Sequence, residues 1–249
     1  MNVQPRASHI HPVRTLTPDN VLVTGSASGL GFCLAELLSE AGHLVQGVDL
    51  EEEGYTNFQA DVGRESDTIA SIFATTEVLI NCAGINHIAY TEDLEREDWE
   101  RVMDVNAYAP WALTRSFLRL PHKRLRTVVN ITSNAAWTPM TSSLIYNASK
   151  AAIHMITRQM ARELTPRHGL TVFGVAPNKL AGTEMSRYIE ARVPELRGWT
   201  PEEAAKYQRQ SLMKGEETDP WEVAEFITFL LSAPHRHQHL SGCILSYGA

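Results

Sequence analysis

A short apolar run, followed at once by a glycine-rich turn and then an apolar-periodic stretch, restricts this chain more than any other segment. Val21-Leu22-Val23 is aliphatic and β-branched enough for a buried strand. It leads into Thr24-Gly25-Ser26-Ala27-Ser28-Gly29-Leu30-Gly31, then into a helical stretch carrying Phe32, Leu34, Ala35, Leu37 and Leu38 that stops near Gly42. Strand, glycine turn and helix in that order build an anion site. Gly25 permits the tight turn, Gly29 lets backbone approach a pyrophosphate, and Gly31 allows close helix packing. The helix N-terminus, with Ser28 and Leu30 beside it, then faces the phosphates. The flanking elements separate this turn from an ordinary strand–helix connection.

A second strand, Leu44–Val48, ends at Asp49. About 20 residues past the glycine turn is where a carboxylate can accept hydrogen bonds from the adenosine ribose hydroxyls. The same carboxylate repels a 2′-phosphate, so NAD is favoured over NADP. Glu51, Glu52 and Glu53 follow, and no Arg or Lys appears before Arg64. Further strands are expected at Val78–Asn81, Thr127–Ile131, Thr171–Val175 and Cys243–Leu245, with helices near Asp98–Leu118, Ile145–Leu164 and Pro220–Leu231. Such alternation predicts an α/β chain with one Rossmann-type domain, a doubly wound parallel sheet with helices on both faces. Between Asp49 and Asp61 there is too little chain for a crossover helix plus a strand.

Residues 1–19 hold Pro5, Pro12 and Pro18 without apolar periodicity, which predicts a mobile N-terminal arm ahead of a domain over 20–249. Arg6 and Arg14, with no acid before Asp19, are shared with transit peptides. The segment 178–215 is too long for a structureless loop and predicts a substrate lid. Met185, Tyr188, Ile189, Arg192, Val193 and Leu196 form a helical stripe broken by Pro194 and Gly198, and Pro201-Glu202-Glu203 starts another helix.

Tyr146 and Lys150 stand four residues apart in Ile-Tyr-Asn-Ala-Ser-Lys-Ala-Ala. On a helix that spacing places both side chains on one face. A phenol with a pKa of about 10 is a poor acid or base near neutral pH. A fixed ammonium nearby favours the phenolate and is expected to bring that value down.

Together these residues resemble the short-chain dehydrogenase/reductase family, from about Asn20 to the C-terminus. Thr24, Gly25, Gly29 and Gly31 match its cofactor turn, and Asp61-Val62 is similar to the pair that meets the adenine ring. Asn81-Cys82-Ala83-Gly84 is similar to its Asn-Asn-Ala-Gly run. Asn106 matches its helix asparagine, and Ser133 lies thirteen residues before Tyr146, the family's spacing. The resemblance implies that Tyr146 transfers the substrate proton, that Ser133 binds the same oxygen, and that Lys150 tunes the tyrosine and holds the nicotinamide ribose. It also implies that Asn106 holds a water relaying protons from Lys150, and that Asn81, Ala83, Gly84, Pro177 and Thr183 face the cofactor. Members assemble through the helices matching 98–118 and 145–164, so a homo-oligomer, dimer or tetramer, is expected.

The chain departs from the pattern at Cys82 and at Asn178, which replaces a turn glycine and is expected to tolerate the left-handed region. It also departs at Gly182, where a threonine is usual, with Thr183 one residue further on. The terminal segment is reduced to Leu245-Ser246-Tyr247-Gly248-Ala249.

The net charge of −7 argues against nucleic acid or an anionic membrane as partner. No apolar run approaches a membrane span. Cys33, Cys82 and Cys243 sit in apolar stretches without metal-ligand spacing, so no metal is expected and the reducing cytoplasm is the expected location. His235, His237 and His239 alternate in a loop and read as a solvated turn. The expected partner is a small alcohol or ketone, contacted by Ser133, Asn134, Trp137, His87 and Tyr188. The expected activity is NAD-dependent interconversion of a secondary alcohol and a ketone. The alternatives are a β-ketoacyl thioester reductase, for which only Arg187, Arg192 and Arg197 offer a docking charge, and an NAD-binding protein without turnover.

Overall fold

Seven short strands, most of them uninterrupted apolar runs, have both faces to bury, and a parallel sheet clad in helices on each side satisfies them. The computed structural model describes residues 18–212, 215–232 and 238–248. All but the last two residues of the expected N-terminal arm lie outside these, as do His235 and His237.

The chain order is β1 (Asn20–Thr24), α1 (Gly29–Glu40), β2 (Leu44–Asp49), β3 (Phe58–Gln59), α2 (Ser66–Ile72), β4 (Val78–Asn81), α3 (Arg96–Met103), α4 (Ala109–Arg119), β5 (Thr127–Ile131), α5 (Leu144–His168), β6 (Thr171–Pro177), α6 (Glu184–Arg197), α7 (Pro201–Ser211), α8 (Pro220–Leu231) and β7 (Ile244–Tyr247). The strands pair in the order β3-β2-β1-β4-β5-β6-β7, every pair parallel. The order reverses between β1 and β4, so a crevice opens at their carboxyl ends, the ordinary ligand position in such a sheet.

Alternation along the strands divides the core. Val21 and Val23, Val78 and Ile80, Val129 and Ile131 pack with Leu34, Leu38, Ile227 and Leu231 on one face. Leu22, Leu79, Val128 and Val172 pack with Leu113, Phe117 and Met160 on the other. The β2–β3 link carries no helix, as its length requires, and β3 pairs directly with β2.

Some elements differ from expectation. Helix α2, which buries Ile69 and Ala70, was not anticipated because it is only seven residues long. Pro194 does not break α6; the helix runs through it and ends at Gly198, whose φ of 63° is left-handed. The proline lies in the last turn and leaves the Glu190 carbonyl without its intrahelical amide. Pro201 does open α7, behind a reciprocal Thr200–Glu203 cap.

One buried polar line crosses the core. Asn81 Nδ2 donates to Asn130 Oδ1 (2.8 Å), Asn130 Nδ2 donates to Thr157 Oγ1 (2.9 Å), and the Thr157 hydroxyl donates to the Ile153 carbonyl (2.7 Å). It ties β4 and β5 to α5, the helix that carries Tyr146. Thr157→Val leaves a buried amide donor unpaired, so the urea midpoint should fall by an equivalent of about 1–3 kcal/mol. An unchanged midpoint would show that the line carries no stability.

Candidate active site

The glycine turn is held to the sheet by groups that leave no room for side chains. Thr24 Oγ1 accepts the backbone amides of Cys82 (3.1 Å) and Ala83 (3.2 Å), stitching the end of β1 to the segment after β4. Gly25 has φ +72°, and a Cβ there would lie 2.7 Å from the Ala83 Cα. A Cβ on Gly31 would lie 1.9 Å from the Gly25 carbonyl oxygen. These contacts aim the start of α1 at the crevice, and Ser28 at its N-cap makes no side-chain capping bond. Asp49, at the end of β2, accepts the Ala27 amide through Oδ2 (2.9 Å) and the Leu50 amide through Oδ1 (2.7 Å). Its carboxylate is thereby fixed beside the turn.

A cavity of about 1010 Å³ runs from this turn to the start of α5. Gly25, Ser28, Gly29, Leu30, Gly31 and Asp49 line it, as do Asp61, Val62, Ala83, Gly84, Pro177 and Thr183. A dinucleotide fits these residues: the cradle exists only because the glycines lack Cβ atoms, and the fixed carboxylate supplies an acceptor for hydroxyls. Asn81 is not on the wall; its side chain is committed to Asn130. Thr183 caps α6 by accepting the Ser186 amide (3.1 Å), and its methyl lies 3.4 Å from where a Cβ of Gly29 would stand.

At the other end, Ser133 stands two residues past β5, and Tyr146 and Lys150 occupy the first two turns of α5. The Ser133 hydroxyl stands close enough to that of Tyr146 to favour the phenolate. Lys150 Nζ donates to the Ile131 carbonyl (3.1 Å) and stands 5.7 Å from the centre of the Tyr146 ring. All three residues are buried. Burial pushes the Tyr146 phenol above its ordinary value, and Ser133 pulls it only partly back. Burial also lowers the Lys150 ammonium from 10.5 to about 8. The expected lowering of the tyrosine is therefore reversed, because loss of solvent outweighs the stabilisation that Ser133 gives the phenolate.

Asn106 sits in a π-turn, Asp104–Tyr108, between α3 and α4. That extra residue lets its side chain clamp the Ile85 backbone, accepting its amide (2.9 Å) and donating to its carbonyl (2.9 Å). Its Nδ2 also reaches Ser149 Oγ (2.9 Å), one residue before Lys150. Gly84 fills the space between: a Cβ there would be 3.4 Å from Asn106 Oδ1 and 3.5 Å from Lys150 Nζ.

A sequence profile of the short chain dehydrogenases matches residues 59–194. The chain belongs to the short-chain dehydrogenase family. It is 28% identical over 248 residues to the 2,3-dihydro-2,3-dihydroxybenzoate dehydrogenase of Escherichia coli (strain K12), covering 92% of this chain and 96% of that one. Two solved structures share its fold. One is a variant of actinorhodin polyketide ketoreductase with NADPH, with TM-score 0.82, 24% identity, and 92% of this chain and 95% of that one covered. The other is 4-hydroxyisoleucine dehydrogenase with NADH, with TM-score 0.78, 21% identity, and 93% of this chain and 98% of that one covered.

Within this short-chain dehydrogenase, two expected substrate residues are placed elsewhere. Trp137 is half-exposed and packs edge-on against His154 at 5.6 Å, away from the cavity. His87 turns to Asp98 on α3 (3.5 Å) while its neighbours Asn86 and Ile88 face the cavity. Asn134 and Tyr188 do line it, and the Tyr188 hydroxyl accepts the Ile88 amide (3.2 Å).

Asn178 has no positive φ; its side chain works instead. It accepts from Asn134 Nδ2 (3.0 Å) and donates to the Gly248 carbonyl (2.9 Å), tying β5, β6 and the C-terminal segment together. Cys82 faces the cavity as a neutral thiol, pushed up to about 12 by burial. The 138–143 loop and Arg197 also form wall. Sequence reading weighed Arg197 only as a docking charge for a thioester carrier, although it directly precedes Gly198-Trp199, an aromatic partner beside a helix stop.

Folded Lys150 gives up its proton near pH 8, the unfolded residue near 10.5, so between these values the unfolded state binds more protons and stability must rise with pH. The stability of the wild type relative to Lys150→Met should increase across that window by on the order of 3 kcal/mol. A flat difference in denaturant unfolding would show the ammonium to be solvated.

Proposed function

We propose that this short-chain dehydrogenase interconverts a secondary alcohol and a ketone with NAD(H), oxidation releasing one proton to solvent. One observation carries the reading: the Ser133–Tyr146 hydroxyl pair, with Lys150 one helical turn on, opens into the same cavity as the glycine cradle. The glycine turn, Asp49, Asp61 and Lys150 would hold NAD, which when bound accepts or supplies the hydride at the carbinol carbon. Tyr146 moves the hydroxyl proton, Ser133 fixes the same oxygen, and Lys150 passes the charge onward. Asn106 keeps the Ile85 backbone and α5 in register for that relay. Asn81 supports β4 from behind.

Asp49 favours NAD over NADP. Among the described residues, the cations on the cavity wall are Lys150, Lys179 and Arg197, none at the Asp49 end, and Arg64 turns to Asp61 at 3.6 Å. Of the lid expected over 178–215, the described helices α6 and α7 contribute cavity wall. The Escherichia coli relative is a dehydrogenase of 2,3-dihydro-2,3-dihydroxybenzoate, which fits a cyclic alcohol as substrate here. Tyr108, Trp111, Leu144 and Met155, exposed on or beside α4 and α5, support a homo-oligomer through those helices. No helix among the described residues is long and apolar enough to cross a membrane, in keeping with a cytoplasmic enzyme.

NADH formation across a panel of secondary alcohols tests the reading. Tyr146→Phe should lower kcat by roughly 10²–10⁴-fold while NADH binding, followed by fluorescence, stays unchanged. Because Tyr146 starts as a neutral phenol, alcohol oxidation should quicken as pH rises. Turnover that survives Tyr146→Phe, or NADP bound more tightly than NAD, would contradict it.

A further inference from the structure

Among the described residues three cations face the cavity, and two are accounted for. Lys179 is neutralised by Glu190 (2.9 Å) and Glu217 (2.5 Å), and Lys150 is buried under Tyr146. Arg197, the last residue of α6, forms no ion pair among the described residues. It is nonetheless built in. Its guanidinium lies over Trp199 (4.6 Å) and Tyr207 (5.2 Å), and Nη2 donates to the Thr141 carbonyl (2.9 Å). Its Nε is buried without an acceptor. A guanidinium has five donors in a rigid fork, and among the described residues most of this one's go unused.

The position suits a substrate contact. Thr141 belongs to the 138–143 loop that runs straight into α5, so the fork is fastened five residues ahead of Tyr146. The next residue, Ser142, has φ 64°, a strained value for serine, and its carbonyl accepts the Ala89 amide (3.1 Å). Met140, Tyr188 and Val193 make the nearby wall largely apolar. A fixed guanidinium against apolar and aromatic groups, with unsatisfied donors, matches a planar two-oxygen anion. The acids on the wall are spoken for or distant: Glu190 by Lys179, Asp49 and Asp61 at the nucleotide end, and Glu184 in the first turn of α6.

We propose that the substrate is a secondary hydroxy acid, or its keto acid, whose carboxylate docks on Arg197 while its hydroxyl reaches Ser133 and Tyr146. This rests on the dehydrogenase reading above and narrows its substrate class.

The test is a panel of secondary hydroxy acids, β-hydroxybutyrate among them, each beside its methyl ester, with sugar phosphates beside the free sugars. The wild type should turn over an acid with kcat/KM roughly 10–100-fold above its ester, carried by KM, as a charge-assisted hydrogen bond predicts. Arg197→Gln should collapse that ratio, Arg197→Lys should restore part of it, and neither should alter NADH binding. The wild-type comparison stands even if a variant misfolds. Turnover of neutral alcohols without preference for acids, a preference confined to phosphates, or a ratio unmoved by Arg197→Gln would each overturn the carboxylate site and leave the dehydrogenase reading intact. NADH binding with no turnover on any compound would overturn both.

Discussion

Burial of Lys150 beneath Tyr146 is the constraint around which the site is arranged. An ammonium without water must find polar partners, and the Ile131 carbonyl at the end of β5 supplies one at 3.1 Å. That bond sets the first turns of α5 against the strand that leads into Ser133, and so brings the serine and tyrosine hydroxyls together. Gly84 keeps the space between Lys150 and Asn106 open, and Asn106 fixes the same helix to the segment after β4. Each of these residues is intelligible as support for one buried cation and the phenol above it.

The same loss of solvent governs the chemistry. A phenol held above its ordinary value and an ammonium held near 8 mean that the pair rests as neutral tyrosine beside a lysine close to titration. A proton can then be exchanged with small changes in local charge, because neither group is locked in its charged form. The glycine turn contributes by geometry alone: the near-contact of Gly31 with Gly25, and of Gly25 with Ala83, sets how closely a ligand can approach the sheet.

Sheet and cofactor turn were legible in the sequence, since buried parallel strands write themselves as apolar runs and positive-φ turns demand glycine. Helical spacing and the family resemblance picked out Tyr146, Lys150, Ser133 and Asn106, which the structure gathers at the start of α5, while Asp49 stands at the glycine-turn end. Side-chain direction in loops was not legible. Trp137 packs on His154, and His87 turns to Asp98, through contacts formed between distant segments. Asn178 looked like a backbone substitution and proves to be a side-chain tie to Gly248. The fork of Arg197 was indistinct among surface arginines until Trp199, Tyr207 and Thr141 enclosed it. The sign of the Tyr146 shift was missed because helical spacing reports a neighbouring charge but not the solvent that both groups lose.

The central claim, that burial rather than the adjacent cation sets the resting state of the tyrosine, is open to direct measurement. Ultraviolet difference titration of tyrosinate, wild type against Tyr146→Phe, isolates this one phenol in the ligand-free protein. The account predicts ionisation above the ordinary tyrosine value of about 10. Ionisation well below that value would show that Lys150 dominates and would contradict it.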